Sequence, residues 1–153
     1  MPDGRYDHNI LQWAEAQSSL LNRLARGELV NDAIDWPHVI EEVEDVGLSE
    51  LRACARLLRQ ALRHLLKLHL EPNAPAVAPW RSEVVGFLGD AAARFTPSMR
   101  QRIELPALWA LAVRQVAAEL DMRPAALPAD CPFTLDALLA PDADPASLAS
   151  HIV

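Results

Sequence analysis

Cysteine is scarce in this chain of 153 residues. Cys54 and Cys131 are the two present, and neither belongs to a C-x-x-C pair. A disulfide scaffold would need a closely patterned set of cysteines, and a zinc finger would need paired ligands. The sequence therefore supports neither class, and we interpret the chain as a cytoplasmic protein with reduced thiols.

Long apolar runs and catalytic signatures are also missing. No apolar run is long enough to span a bilayer, and the polar residues 1–7 lack the apolar core of a signal peptide. The sequence has no Walker A loop, no G-x-G-x-x-G and no serine in a nucleophile elbow. We therefore predict no membrane partner and no cofactor, and these absences favour a non-enzymatic protein over an enzyme.

Positive charge is the scarcer sign, with 14 Lys and Arg against 21 Asp and Glu, for a net charge of -7. Such a surface repels nucleic acid and anionic membranes, so a nucleic-acid partner is not expected. What the chain does have is apolar residues, 51% of the total, alongside an ordinary 23% of charged residues. That composition is typical of one globular domain with a sizeable core.

The apolar residues recur at helical spacing, and no segment shows sustained period-two alternation. The pattern predicts an all-α fold, a compact multi-helix bundle whose helices are joined by short loops containing proline or glycine. We expect one helical domain over residues 6–140 and a flexible C-terminal tail over residues 141–153. Five apolar side chains are predicted to be buried: Trp13, Leu58, Leu62, Trp80 and Trp109.

An acidic helix is predicted to begin at Asp35, which can cap it, and to end near Gly47. Ser49 is then expected to cap a second helix that runs to about Leu70. In the acidic helix, four apolar side chains are predicted to face inward: Val39, Ile40, Val43 and Val46. The same helix carries the carboxylates Glu41, Glu42, Glu44 and Asp45.

A basic face is predicted on the helix that follows. Its members are spaced four, three, four and four residues apart: Arg52, Arg56, Arg59, Arg63 and Lys67. Such a stripe has the geometry to contact phosphates, although a solvated face or a helix-pairing face fits the net charge better. His64 lies at the edge between this stripe and the apolar arc of the helix.

The candidate functional cluster combines both helices: Glu41, Glu42, Glu44, His64 and Lys67. Carboxylates and a histidine can bind a metal ion or transfer protons, whereas the alternative is simple pairing or solvation of the charges. If the two helices form a hairpin at Gly47, His64 lies roughly 20 Å beyond the turn and past Glu41. A shared site would then need a bend or a partner chain, which suggests a homodimer.

Several fragments together resemble a known bacterial family, domain of unknown function 29. In chain order they are Tyr6-Asp7, Trp13, Gln17, Ile40 to Glu44 with Gly47 and Ser49-Glu50, His64 to Lys67, Trp80-Arg81, Pro97 to Met99 and Cys131 to Thr134. The resemblance covers roughly Tyr6 to Leu139. It implies a compact helical domain without an established activity, with its motifs falling on Glu41, Glu42, Glu44, His64 and Lys67.

This chain departs from the family pattern at two places. Leu68, His69 and Leu70 stand where aromatic or glutamine residues are common, and Val85 to Leu88 replaces a stretch usually richer in arginine and glutamine. The leading hypothesis is a helical protein-interaction module with an unknown partner, followed by a Glu/His metal or acid–base site, and then by nucleic-acid contact through the arginines.

Overall fold

The computed structural model describes residues 4–153, and every regular element in that range is helical. The all-α prediction is confirmed. The α-helices are α1 (Arg5–His8), α2 (Ile10–Ala25), α3 (Trp36–Leu70), α4 (Val77–Arg94), α5 (Leu105–Glu119), α6 (Leu135–Leu139) and α7 (Pro145–Ser150). Short 3-10 turns occur at Asn31–Ala33, Pro97–Met99 and Pro124–Ala126.

Contacts along the chain define two compact units, the first ending at Leu48 and the second spanning Ser49–Val153. The expectation of one domain over residues 6–140 stays a prediction. In the first unit, α2 begins where the Asn9 side chain accepts a hydrogen bond from the Gln12 amide at 3.1 Å. It ends just before Gly27, whose φ of 87° is a conformation that glycine adopts without strain.

Helix α3 is continuous for 35 residues, so the predicted break between Gly47 and Ser49 is wrong. Glycine in a helix interior costs about 1 kcal/mol relative to alanine, which by itself is too little to end a helix. Gly47 lies within α3 with no backbone turn, and Ser49 is an ordinary helical residue rather than a cap.

The core of the second unit is built on the apolar arc of α3. Cys54, Leu58, Leu62 and Leu65 recur at three- and four-residue spacing and are completely buried. They belong to one cluster with Val84 and other residues of α4 and with the inner face of α5. Trp109 is also fully buried, and its indole donates a hydrogen bond to the Pro128 carbonyl at 2.9 Å.

Burial of Trp13, Leu58, Leu62 and Trp109 is confirmed, whereas Trp80 is only partly buried. Residues 141–153, expected to form a flexible tail, contain α7 instead. The Asp144 carboxylate caps this helix by accepting from the Ser147 amide at 2.8 Å. Leu148, Ala149 and Ile152 then join the apolar core, which gives the segment a reason to be ordered.

Within residues 4–153, none of the helices combines the length and the apolar character that crossing a membrane requires.

Candidate functional site

The predicted acidic residues Glu41, Glu42 and Glu44 lie on the part of α3 that belongs to the first unit. Glu41 and Glu44 are exposed to solvent. Glu42 is half-buried, and its Oε1 accepts a hydrogen bond from the Tyr6 hydroxyl at 2.7 Å. One of the three carboxylates therefore ties α1 to α3, while the other two remain available at the surface.

The Tyr6 hydroxyl is embedded in negative charge. Its hydrogen bond to Glu42 is the largest effect, and burial with the charges of Glu41, Glu42 and Asp45 adds to it. Each of these disfavours the phenolate, and together they raise the pKa of Tyr6 to about 12. The tyrosine is thus a firm hydrogen-bond donor over the whole neutral range.

A second set of hydrogen bonds converges on Asp35, immediately before α3. Its Oδ2 accepts from the Trp13 indole at 2.9 Å and lies 2.7 Å from Nδ1 of His38. The Asp35 backbone amide donates to Gln17 Oε1 at 2.8 Å. Side chains of α2 are thereby fixed to the first turn of α3 through a single residue.

Asp35 and His38 shift each other's titration. Burial acts to raise the pKa of Asp35, but the hydrogen bonds from His38 and Trp13 outweigh it and the pKa is lowered. The hydrogen bond from Asp35 raises the pKa of His38 against the opposing effect of burial. The pair therefore favours a carboxylate facing a protonated imidazole.

Aromatic rings complete this part of the first unit. Tyr6 stacks on His38 with ring centroids 3.8 Å apart and an interplanar angle of 20°. The edge of Trp13 meets Tyr6 at 4.9 Å and 75°. A cleft of about 380 Å³ lies beside the network, with Trp13, Gln17 and Asp35 among its lining residues. An Asp–His pair can move protons, but here its polar atoms hold helices together.

In the second unit, His64 is buried on α3. Its Nδ1 lies 2.9 Å from the Gln60 carbonyl oxygen, so that nitrogen is the donor and carries a proton. Nε2 lies 2.5 Å from Glu83 Oε2 of α4, and the ring packs near Phe87. The partly exposed Glu83 carboxylate thus pairs with the histidine from the next helix.

Lys67 is also buried, one turn further along α3. Its ammonium donates to Glu119 Oε1 at 3.1 Å and lies 4.4 Å from the centre of the Trp80 ring. The partly buried Trp80 packs against the apolar core, and a face of its ring also meets the Lys67 ammonium in a cation–π contact. Lys67 links α3, α4 and α5 within the second unit.

The arginines of the predicted basic face differ in their exposure to solvent. Arg52 and Arg56 are exposed, but Arg59 and Arg63 are half-buried. The Nε atoms of both half-buried arginines are shielded from solvent without a hydrogen bond, and Arg63 Nε lies 4.0 Å from Glu119 Oε2. Arg52 and Arg56 are therefore the arginines of the stripe that are most accessible to a phosphate.

The predicted cluster thus has members in both units: Glu41, Glu42 and Glu44 in the first, and His64 and Lys67 in the second. Whether they act as one site stays a prediction. Within the part of the chain that the structure describes, no three His, Cys, Asp or Glu side chains are grouped to hold a metal ion. The polar side chains are arranged instead in separate hydrogen-bonded or ionic pairs: Tyr6–Glu42, His38–Asp35, His64–Glu83 and Lys67–Glu119.

The pairing of Asp35 with His38 was not predicted from the sequence. Their three-residue spacing at the start of α3 is the signal that a pair was possible. Contacts such as Tyr6–Glu42 join residues 36 positions apart, which helical periodicity does not address. The fragments Tyr6, Trp13 and Gln17, noted for their resemblance to a family, do fall in this network.

Three of the four apolar residues that were predicted to face inward from the acidic segment are exposed. Ile40, Val43 and Val46 were predicted to face inward, yet they are 54%, 70% and 70% exposed. Only Val39 of that set is half-buried. Their three-residue spacing puts them on one side of α3, and we call Ile40, Val43 and Val46 the apolar stripe. The periodicity was real, but the face that it marks is uncovered.

Comparison with known proteins gives two matches and one negative result. A solved α-helical protein of unknown function from Rhodospirillum rubrum is 33% identical, with 95% of each chain covered and a TM-score of 0.71. No curated protein matches. The family described as domain of unknown function DUF29 matches residues 5–143, which is most of the chain. The chain therefore belongs to the DUF29 family.

Proposed function

We propose that this protein is a non-enzymatic cytoplasmic interaction module that binds another protein through the apolar stripe. The observation that carries the proposal is the exposure of Ile40, Val43 and Val46 on one side of one helix. Single exposed apolar residues are ordinary in soluble proteins. Three at adjacent helical positions form a patch, and such patches mark interaction surfaces.

The surroundings of the stripe fit an interface that is also exposed in the free protein. Glu41, Glu44 and Asp45 occupy positions between the three apolar residues. Their charges keep the unbound surface soluble and form a polar rim around an apolar centre, which is the usual anatomy of a protein interface. The free thiols of Cys54 and Cys131 agree with a reducing compartment.

The other two hypotheses have less support. A metal or acid–base site would need Glu41, Glu44 and His64 together, whereas His64 is paired with Glu83 inside its own unit. A nucleic-acid contact would need the arginine stripe to be free, whereas Arg59 and Arg63 are half-buried. Neither hypothesis uses the exposed apolar residues.

Site-specific photocrosslinking tests the proposal. A benzophenone amino acid replaces Val43, and the matched control places it at Val85, which is 57% exposed on α4. In the cell that normally makes the protein, Val43 should give an adduct with one protein that mass spectrometry identifies. The purified partner should then bind the unmodified chain, and Val46→Gln should weaken that binding. Equal adducts at both positions would overturn the proposal.

A further inference from the structure

We infer that the partner presents a cationic amphipathic helix to the apolar stripe. The inference rests on the proposed function and names the chemistry of the partner. An exposed helix face is covered most readily by a second helix, whose apolar residues at three- and four-residue spacing fill the grooves between Ile40, Val43 and Val46. The charge around the stripe then decides which helix fits.

The net charge of the chain is concentrated in the first unit. Residues 1–48 contain ten Asp and Glu against three Lys and Arg, whereas residues 49–153 contain eleven of each sign. The whole charge of -7 therefore lies in the unit that carries the apolar stripe. Such a surface speeds association with a cationic partner and opposes an anionic one.

The carboxylates nearest the stripe are placed for this role. Glu44 follows Val43 directly and Glu41 follows Ile40, and both side chains are exposed. Glu42 is held by Tyr6, which fixes the helix segment but leaves the other two carboxylates free to meet a lysine or arginine. A helix with an apolar stripe edged by cations would match the stripe and its rim at once.

A second copy of the chain fits this surface poorly. Pairing stripe against stripe would bring two acidic units together, which like-charge repulsion opposes. The basic stripe of a second copy offers charge, but in α3 no large apolar side chain after Val46 is exposed to cover the valines. A complementary surface combines cations with several exposed apolar residues on one helix, which favours a different protein.

A designed peptide provides the direct probe. It is about 18 residues long, with leucine at helical i, i+3, i+4 and i+7 positions and lysine elsewhere. The full chain should bind this peptide in a calorimetric titration, and added salt should weaken the binding. A peptide with the same leucines and glutamate in place of lysine should not bind, and neither should a scrambled Leu/Lys peptide.

Variants of the chain locate the contact. Val43→Gln with Val46→Gln should weaken peptide binding at least about tenfold, or about 1.4 kcal/mol. Both side chains are 70% exposed, so the fold should survive. Val85→Gln is the matched control and should leave binding unchanged. Glu41→Gln with Glu44→Gln should reduce the salt dependence, whereas Glu15→Gln, on α2, should have a smaller effect.

The outcomes separate this inference from the proposed function. If the Leu/Lys peptide fails to bind while the partner crosslinked at Val43 does bind, the cationic helix is wrong and the docking face stands. Equal binding of the lysine and glutamate peptides would overturn the inference in the same way. If sedimentation shows a dimer that dissociates in the Val43→Gln and Val46→Gln variant, a second copy covers the apolar stripe and the cationic helix is wrong. If binding of none of these ligands depends on Val43 and Val46, both the proposed function and the cationic helix are wrong.

Discussion

Tyr6 is the one tyrosine of the chain, so its ionisation can be followed by ultraviolet absorbance without interference from another tyrosine. Its pKa of about 12 lies above the ordinary 10.0 because of Glu42 and the neighbouring carboxylates. The tyrosinate signal should be nearly absent at pH 10, where an ordinary tyrosine is about half ionised. The stability that the raised pKa contributes is present below pH 10 and is lost as pH rises toward 12.

Glu42→Gln should bring the Tyr6 midpoint back toward 10, since it removes the charge and keeps a hydrogen-bond acceptor. Glu15→Gln, the same change at an exposed position of α2, should leave the midpoint where it was. A tyrosine that titrates normally in the folded wild type would contradict the Tyr6–Glu42 hydrogen bond.

His38 gives the first unit a dependence on pH. Its pKa is raised by Asp35, so the protonated form stabilises the fold. That contribution is fully present below the ordinary pKa of 6.5 and is lost as pH rises through the raised value. Denaturant midpoints should therefore fall between mildly acidic and mildly alkaline pH in the wild type. His38→Phe, which keeps an aromatic ring on Tyr6, should show a flatter profile, and the exposed His8→Phe should behave as the wild type.

Leu62 tests the core of the second unit. It is completely buried, and truncation to alanine should lower the free energy of unfolding by about 2–5 kcal/mol through lost burial and a cavity. Leu111→Ala, at a side chain that is 40% exposed on α5, should cost less. A Leu62→Ala cost below about 1 kcal/mol would mean that this face is not the core.

The continuity of α3 can be tested at Gly47. A Cβ built there meets no atom within 4 Å, and the residue is exposed inside a helix. Gly47→Ala should therefore raise the free energy of unfolding by about 0.4–1 kcal/mol. Gly27→Ala is the contrasting variant, because a φ of 87° strains any residue with a Cβ, and it should lower stability. Destabilisation by Gly47→Ala would indicate that the helix turns at this position.

At the scale of helices, local periodicity predicted most of the architecture. The all-α class and the burial of Leu58, Leu62 and Trp109 follow from apolar residues at three- and four-residue spacing. Local rules failed at Gly47, because a single glycine is compatible with both a helix end and a helix interior. They also failed to predict that α7 is ordered. Its order comes from burial of Leu148 and Ile152 in a core that distant segments of the chain assemble.

The candidate site was less predictable than the fold. A periodic apolar face looks the same in sequence whether the chain itself or a partner covers it, which is why Val43 and Val46 were assigned to the core. The sequence singles out Glu41, Glu42 and Glu44 as one acidic segment, and their role as a site stays a prediction. Their companions Tyr6 and Asp35 depend on contacts between separate helices, and spacing along one helix carries no information about those contacts.

At the scale of the whole molecule, the two units carry different electrostatic character. The first holds the net negative charge and the apolar stripe, whereas the second balances its charges and pairs Lys67 and His64 internally. The Lys67 and His64 ion pairs therefore lie in a different unit from the surface that we propose for docking. Mutations in the stripe should therefore change binding while leaving the stability of the folded chain nearly unchanged.

The most direct measurement is a nuclear magnetic resonance titration of the methyl-labelled chain with the Leu/Lys helix peptide. We expect saturable changes in the methyl chemical shifts of Ile40, Val43 and Val46, whereas the methyl chemical shifts of the exposed Val85 and Leu111 should not change. Shifts confined to Val85 and Leu111, or no saturable shift in the apolar stripe, would contradict the proposal.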